Sequence, residues 1–436
     1  MFVTNQNDSG PGSLRAACEA HGPRIVIFRV SGLIRLTKPI TIQNPYLTIA
    51  GQTTPGEGVC IRDFPLVIAT HDVVVRYLRS RLGDLSRQEE DCISVASGSR
   101  DVVLDHCSVS WSIDELLSVS GDVSDVTVQW CLIAESLNRS IHTKGAHGYG
   151  SLVRAAGPVS LHHNLWAHND ARNPRLGDNY GAAPYPIIDF RNNVIYNYGS
   201  VCTGLTQGIL KVNYVANYIR TGPDSVAPSP IQIGSPSRIL FFVRGNVLEG
   251  DGRLTADNML LFHAADTDSA DQFRITADPF DAPPVNTTSA ETAYEAVLAG
   301  AGASLRRDAV DARIIDAVRR RGGSLIDSQR QVGEWPEYRS EQPPMDADDD
   351  GMPDGWEVAH ALDPRDPEDG ALDRDNDGYS NVEEYLNSLA PGGAGKPFGW
   401  TPYRSSAVRS RLCSRSIRRG RGSYSPRSRP NRSWSH

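Results

Sequence analysis

The chain has 436 residues and seven cysteines, and no two of those cysteines form a Cys-x-x-Cys pair. This excludes the zinc ribbons and dithiol redox motifs, which need closely spaced thiols. No apolar run reaches the roughly 20 residues of a membrane-spanning helix, so no membrane partner is expected. The opening, Met1-Phe2-Val3, has neither the basic start nor the apolar stretch of an export signal and enters strand-like text at once. So abrupt a start points to a missing N-terminus, any export signal included. The last forty or so residues hold no Asp or Glu but many Arg. Their Gly/Pro and then Arg/Ser text cannot build a core, so 390–436 reads as a disordered basic tail. Since the whole chain carries a formal charge of -8, the body is more acidic than that total. An acidic body excludes a nucleic-acid partner and suits a protein that recruits cations to an anionic substrate.

What is present is a repeat. Apolar, any, apolar, any, any, then Asn or Cys occurs as Val102, Leu104, Cys107 and as Val126, Val128, Cys131. It returns as Val159, Leu161, Asn164, as Ile188, Phe190, Asn193, as Val212, Tyr214, Asn217 and as Phe241, Val243, Asn246. Looser copies begin at Leu47 and Val73, and successive copies lie 24 to 33 residues apart. Alternation of apolar residues is strand periodicity, and its return at this spacing marks a solenoid. Each copy is too short for a helix with a strand pair and suits one coil of a parallel β-helix. Stacked Asn side chains then bond along a ladder, and Cys fills the same slot as a small buried residue. The rival, a β-sandwich, would show closer and less regular strands. The fold class read here is all-β, a parallel β-helix over 1–263. Loop and helices at 264–344 pack on its side, with apolar positions at Ala293, Val297, Val310, Ile314, Ile315 and Val318.

Two Asp-rich loops occupy 346–387. Asp346, Asp348, Asp350, Asp354 and Glu357 stand at positions 1, 3, 5, 9 and 12 of the first, with Gly351 at position 6. Asp373, Asp375, Asp377, Asn381 and Glu384 repeat the pattern around Gly378. Calcium takes six to eight oxygens, and the position-7 carbonyls of Met352 and Tyr379 add one each. Neither loop has a good incoming helix, and Pro353, Pro364 and Pro367 interrupt the text. The loops therefore read as a calcium-stapled repeat and not as a sensor. Asn-x-Ser/Thr triplets, a pattern common by chance, occur at Asn7, Asn138, Asn286 and Asn431 and would serve as glycosylation acceptors in a secreted glycoprotein.

Groups able to do chemistry recur in consecutive coils: Glu89, Glu90 and Asp91, then Asp105-His106, Asp114-Glu115, Lys144 and His147, and Arg172 and Arg175. In a β-helix the same place in successive coils stacks about 5 Å apart. Carboxylates that close repel unless a cation joins them, and an all-oxygen set suits calcium.

The order Asp91-x-Ile93-Ser94-Val95, Val103-x-Asp105-His106-Cys107-Ser108, Val126-Thr127-Val128, His162-His163-Asn164 and Arg172-x-Pro174 resembles the pectate lyases of polysaccharide lyase family 1. It is most similar to secreted members with C-terminal calcium-binding repeats. The resemblance covers about residues 2–390 and implies a right-handed parallel β-helix that cleaves pectate by calcium-dependent β-elimination as a monomer. It implies that Arg172 removes the C5 proton of the uronate and that Glu89, Asp91 and Asp114 bind calcium. A further family carboxylate falls on Ser118, where Glu115 is the available substitute. A second family arginine falls on Gly177, which leaves Arg175 in its place, and Lys144 stands in for the substrate-binding lysine. Two other functions stay open on the residues alone. One is a hydrolase with paired carboxylates and no essential arginine. The other is a non-catalytic polysaccharide-binding protein.

Overall fold

A strand whose side chains alternate in and out must bury its inner face, and here each coil supplies that face to the next. The computed structural model describes residues 1–177, 185–206, 208–226, 230–234, 237–264 and 273–390. Three parallel sheets wind into a β-helix, with crossovers of the right hand that parallel strands favour. Among the described residues, sheet I has eleven strands, from Phe2–Val3 to Phe273–Ile275, and sheets II and III have nine each, from Gly32–Arg35 to Val247–Leu248 and from Ile40–Ile42 to Phe262–Ala264. Sheet I thus runs past residue 263, the expected end of the coils. The basic tail expected after 390 lies outside the described residues.

The repeat falls on sheet I in register. Leu47 pairs with Val73 and Val73 with Val102, and the row continues through Val126, Val159, Ile188 and Val212 to Phe241. All of these residues are buried. The polar slot forms the expected ladder. Asn164 Nδ2 donates to Asn193 Oδ1 at 3.1 Å, Asn193 to Asn217 at 3.1 Å and Asn217 to Asn246 at 2.9 Å. Cys107 and Cys131 continue it as buried free thiols. The residue before each slot takes a left-handed backbone, with φ between 50° and 55° at His106, Trp130, His163, Asn192 and Ala216. This turns the chain from sheet I into sheet II.

Two amphipathic helices, Ala290–Gly300 and Ala309–Arg320, lie outside sheet II. Val297, Val310, Ile314 and Val318 pack on Trp111, Leu132, Ala134, Leu165 and Tyr196. Asp308 and Asp311 meet the buried Arg81, Asp311 at 2.7 Å. At the other end of the solenoid, helix Leu14–Glu19 puts Leu14, Ala17 and Cys18 into the core of the first coils. The Asp-rich segment docks on the outer face of sheet I. Met352, Val382, Tyr385 and Leu386 cluster there with Ile27 and Ala50, and Arg29 reaches Asp346 at 3.1 Å and Asp349 at 2.6 Å.

Candidate active site

Strands Ile93–Val95, Glu115–Gly121, Tyr149–Ala155 and Arg175–Gly177 are neighbours in sheet III. The residues that enter these strands therefore line one edge of the sheet. Asp91, Asp114 and Glu115 each bring an oxygen within 4.8 Å of the others. Burial, with the charge of Asp114 added, pushes the Asp91 carboxyl up to about 7, against the hydroxyls of Ser118 and Ser94. Ser94 Oγ donates to it at 2.9 Å. Thus Ser118, where a carboxylate was missing from the sequence pattern, contributes a hydroxyl beside Asp91. Glu115 opens its strand in register with Tyr149 and pairs with the Arg172 guanidinium. That guanidinium also lies 3.9 Å above the centre of the Tyr149 ring.

The set expected from the sequence is partly redistributed. Glu89 stands apart from the three clustered acids. Its oxygens accept from Thr143 N and Thr143 Oγ1, each at 2.9 Å, and these bonds hold it below the usual carboxylate range. Arg175 opens the strand after Arg172 and, with Asp170 and Asp114, acts electrically on the Tyr149 hydroxyl. Lys144 is exposed on the loop that carries His142 and His147. His142 and His147 stack at 3.8 Å, and His147 Nε2 lies 2.9 Å from Asp114 Oδ1. Burial holds His147 below the usual imidazole range, despite the Asp114 charge. Sequence reasoning missed His142 and Tyr149. The one available signal for Tyr149 was its place at the start of a strand in the coil after Glu115.

Asp105-His106 is a correction. It sits at the turn between sheets I and II, not at the sheet III edge. Asp105 accepts from Arg76 Nε at 2.8 Å and Gln129 Nε2 at 3.0 Å, and His106 stacks between Tyr77 and Trp130. This motif builds the coil corner. A cavity of about 980 Å³ also lies away from the site, lined by Arg191, Phe242, Arg244, Phe280 and Pro283.

No family model matches the chain. Curated relatives do. It is 34% identical over 396 residues to a probable pectate lyase C of Aspergillus flavus, covering 89% of each chain. The chain belongs to the pectate lyase family. A probable pectate lyase C of Emericella nidulans is 32% identical over 397 residues, covering 90% of this chain and 88% of the relative. A solved polygalacturonate lyase, fused to a self-assembling amphipathic peptide, shares the fold with a TM-score of 0.50 at 13% identity. The match covers 70% of this chain and 92% of that one. Pectate lyases are polysaccharide lyases, so this chain is an enzyme of that class.

The donors at the sheet III edge of this pectate lyase fit calcium. Asp91, Asp114 and Glu115 are all hard oxygen donors, and Asp91 among them is a half-buried acid that a cation would charge. The Asp-rich loops fit it as well. Asp346, Asp348 and Asp350 cluster within 4.8 Å, as do Asp373, Asp375 and Asp377. Glu384 lies close enough for the charges of Asp375 and Asp377, added to burial, to raise its carboxyl. Among the described residues no helix is long and apolar enough to cross a membrane.

Proposed function

We propose that this pectate lyase acts outside the cell and cleaves polygalacturonate by calcium-dependent β-elimination, leaving oligogalacturonides unsaturated between C4 and C5. The observation that carries the proposal is the meeting of three carboxylates with Arg172 at one open edge of sheet III. The C5 hydrogen is weakly acidic, because the neighbouring uronate carboxylate opposes a second negative charge. Calcium held by Asp91, Asp114 and Glu115 offsets that charge when bound. Tyr149 and Glu115 orient Arg172 from two sides. Its guanidinium, a group that holds its proton tightly, either takes the C5 proton or stabilises the carbanion. Arg175 and Lys144 meet the carboxylates of neighbouring uronates. The two Asp-rich loops bind calcium as structural sites, and the protein works as a monomer.

The test is Arg172→Ala, read by the ultraviolet absorbance of the unsaturated product. Loss of a group acting only in the transition state lowers kcat by about 10²–10³-fold or more. Undiminished elimination would remove Arg172 from the chemistry. Products without a double bond would mark a hydrolase.

A further inference from the structure

The twelve-residue spacing assigns position 9 of the first Asp-rich loop to Asp354. In the structure that carboxylate is used otherwise: Asp354 Oδ1 accepts from Ala347 N at 2.8 Å and closes the loop on itself. The acid that stands with Asp350 and Glu357 is Asp369, from the single turn Asp369–Ala371 beyond the loop. Oxygens of these three lie within 4.8 Å of one another, and Asp350 also belongs to the group with Asp346 and Asp348.

The oxygens of this cluster are buried without hydrogen-bond partners. They are Asp346 Oδ1, Asp348 Oδ2, Asp350 Oδ2, both oxygens of Glu357 and Asp369 Oδ1. Glu357 is wholly buried and Asp369 only 7% exposed. Buried acceptors without donors are costly, and buried carboxylates facing one another more so, unless a cation joins them. Six such oxygens, with the position-7 carbonyl that the loop spacing assigns to Met352, would make seven, within the range calcium takes and above the octahedral six of magnesium. The set has no nitrogen or sulfur ligand to favour zinc. Gly370 is part of the site's shape, because a Cβ there would lie 2.3 Å from Asp350 Oδ2.

Asp369 also joins the two loops. Its carbonyl accepts from Asn381 Nδ2 at 2.7 Å, and Asn381 opens helix Asn381–Ser388 at position 9 of the second loop. That helix places Val382, Tyr385 and Leu386 on Ile27 and Ala50 of the β-helix. Asp346 is tied to the same surface through Arg29.

We infer that Asp369, and not Asp354, completes the first loop's calcium site, and that this ion fastens both loops as one unit on the outer face of sheet I. The inference rests on the reading of the loops as calcium sites. It is tested in the full chain by titrating terbium, a luminescent stand-in for calcium, with excitation through Trp356 beside Glu357. Limited proteolysis of the 346–387 segment, with and without calcium, is read in parallel.

Wild type should show sensitised emission and calcium-dependent protection. Asp369→Ala should weaken binding at least about tenfold and abolish protection, whereas Asp354→Ala should change affinity less than about threefold. Gly370→Ala, which keeps every ligand, should weaken binding as Asp369→Ala does, and it stands in if Asp369→Ala does not fold. A wild-type protein without the terbium signal would overturn the calcium reading of the loops and this inference with it. A wild-type signal that survives both Asp369→Ala and Gly370→Ala, or falls instead in Asp354→Ala, would overturn the Asp369 assignment alone.

Discussion

Asp91 is one of the three acids proposed to hold a cation at the sheet III edge. Its carboxyl is pushed up to about 7 by burial and by Asp114, so it is protonated below that pH and charged above it. Calcium affinity, and elimination with it, should therefore rise as pH increases through about 7. Calorimetric calcium titrations on either side of that pH measure this, and in Asp91→Asn the rise should flatten. Glu115 pairs with Arg172 and belongs to the group of acids proposed to hold the cation. Glu115→Gln keeps its shape but removes the charge. It should weaken calcium binding and lower kcat together, as parallel calcium titrations and initial rates would show. Tyr149→Ala should lower kcat more than it raises KM, because the ring lies against the Arg172 guanidinium.

At the scale of elements, the coils were legible because two simple rules coincide. Side chains alternate along each strand, and the same slot returns in every coil, so Val159, Leu161 and Asn164 announce both the strand and its ladder turn. The ladder is accordingly open to test. Asn217 accepts from Asn193 and donates to Asn246 and to Phe190 O. Asn217→Ala leaves buried groups unpaired and should cost about 1–3 kcal/mol per unpaired group in a denaturant titration. The site was legible only in part. Asp91, Asp114 and Arg172 could be placed because each enters a strand of a predictable coil. Asp105 was misplaced because periodicity does not say which corner of a coil faces which groove. His142 and Glu89 depend on how the 137–148 loop folds back, which no repeat governs. Asp369 escaped because it lies outside the spacing that defines the calcium loop.

For the whole molecule, carboxylates held above their ordinary range give stability without calcium one of its pH-dependent parts. Asp91 is pushed up to about 7, Asp350 to about 6 and Glu357 to about 7, in each case first by burial and then by neighbouring acids. Between about pH 4 and 7 these three carboxyls hold more protons folded than unfolded, whereas His162 and His163, which burial holds below the usual imidazole range, hold fewer; the carboxyls' share of the stability therefore falls as pH rises through that window. Calcium should restore it, with a rise in Tm that grows towards pH 7 and is lost with chelator. The β-helix, the acids of sheet III and Arg172 are proposed to serve one reaction, and one assay reads all three together. Purified protein is mixed with polygalacturonate, and ultraviolet absorbance is followed with calcium and then with chelator. The predicted result is a steady rise that stops when calcium is withdrawn and is absent in Arg172→Ala. Folded protein that gives no rise with calcium, or the same rise in chelator, would contradict it.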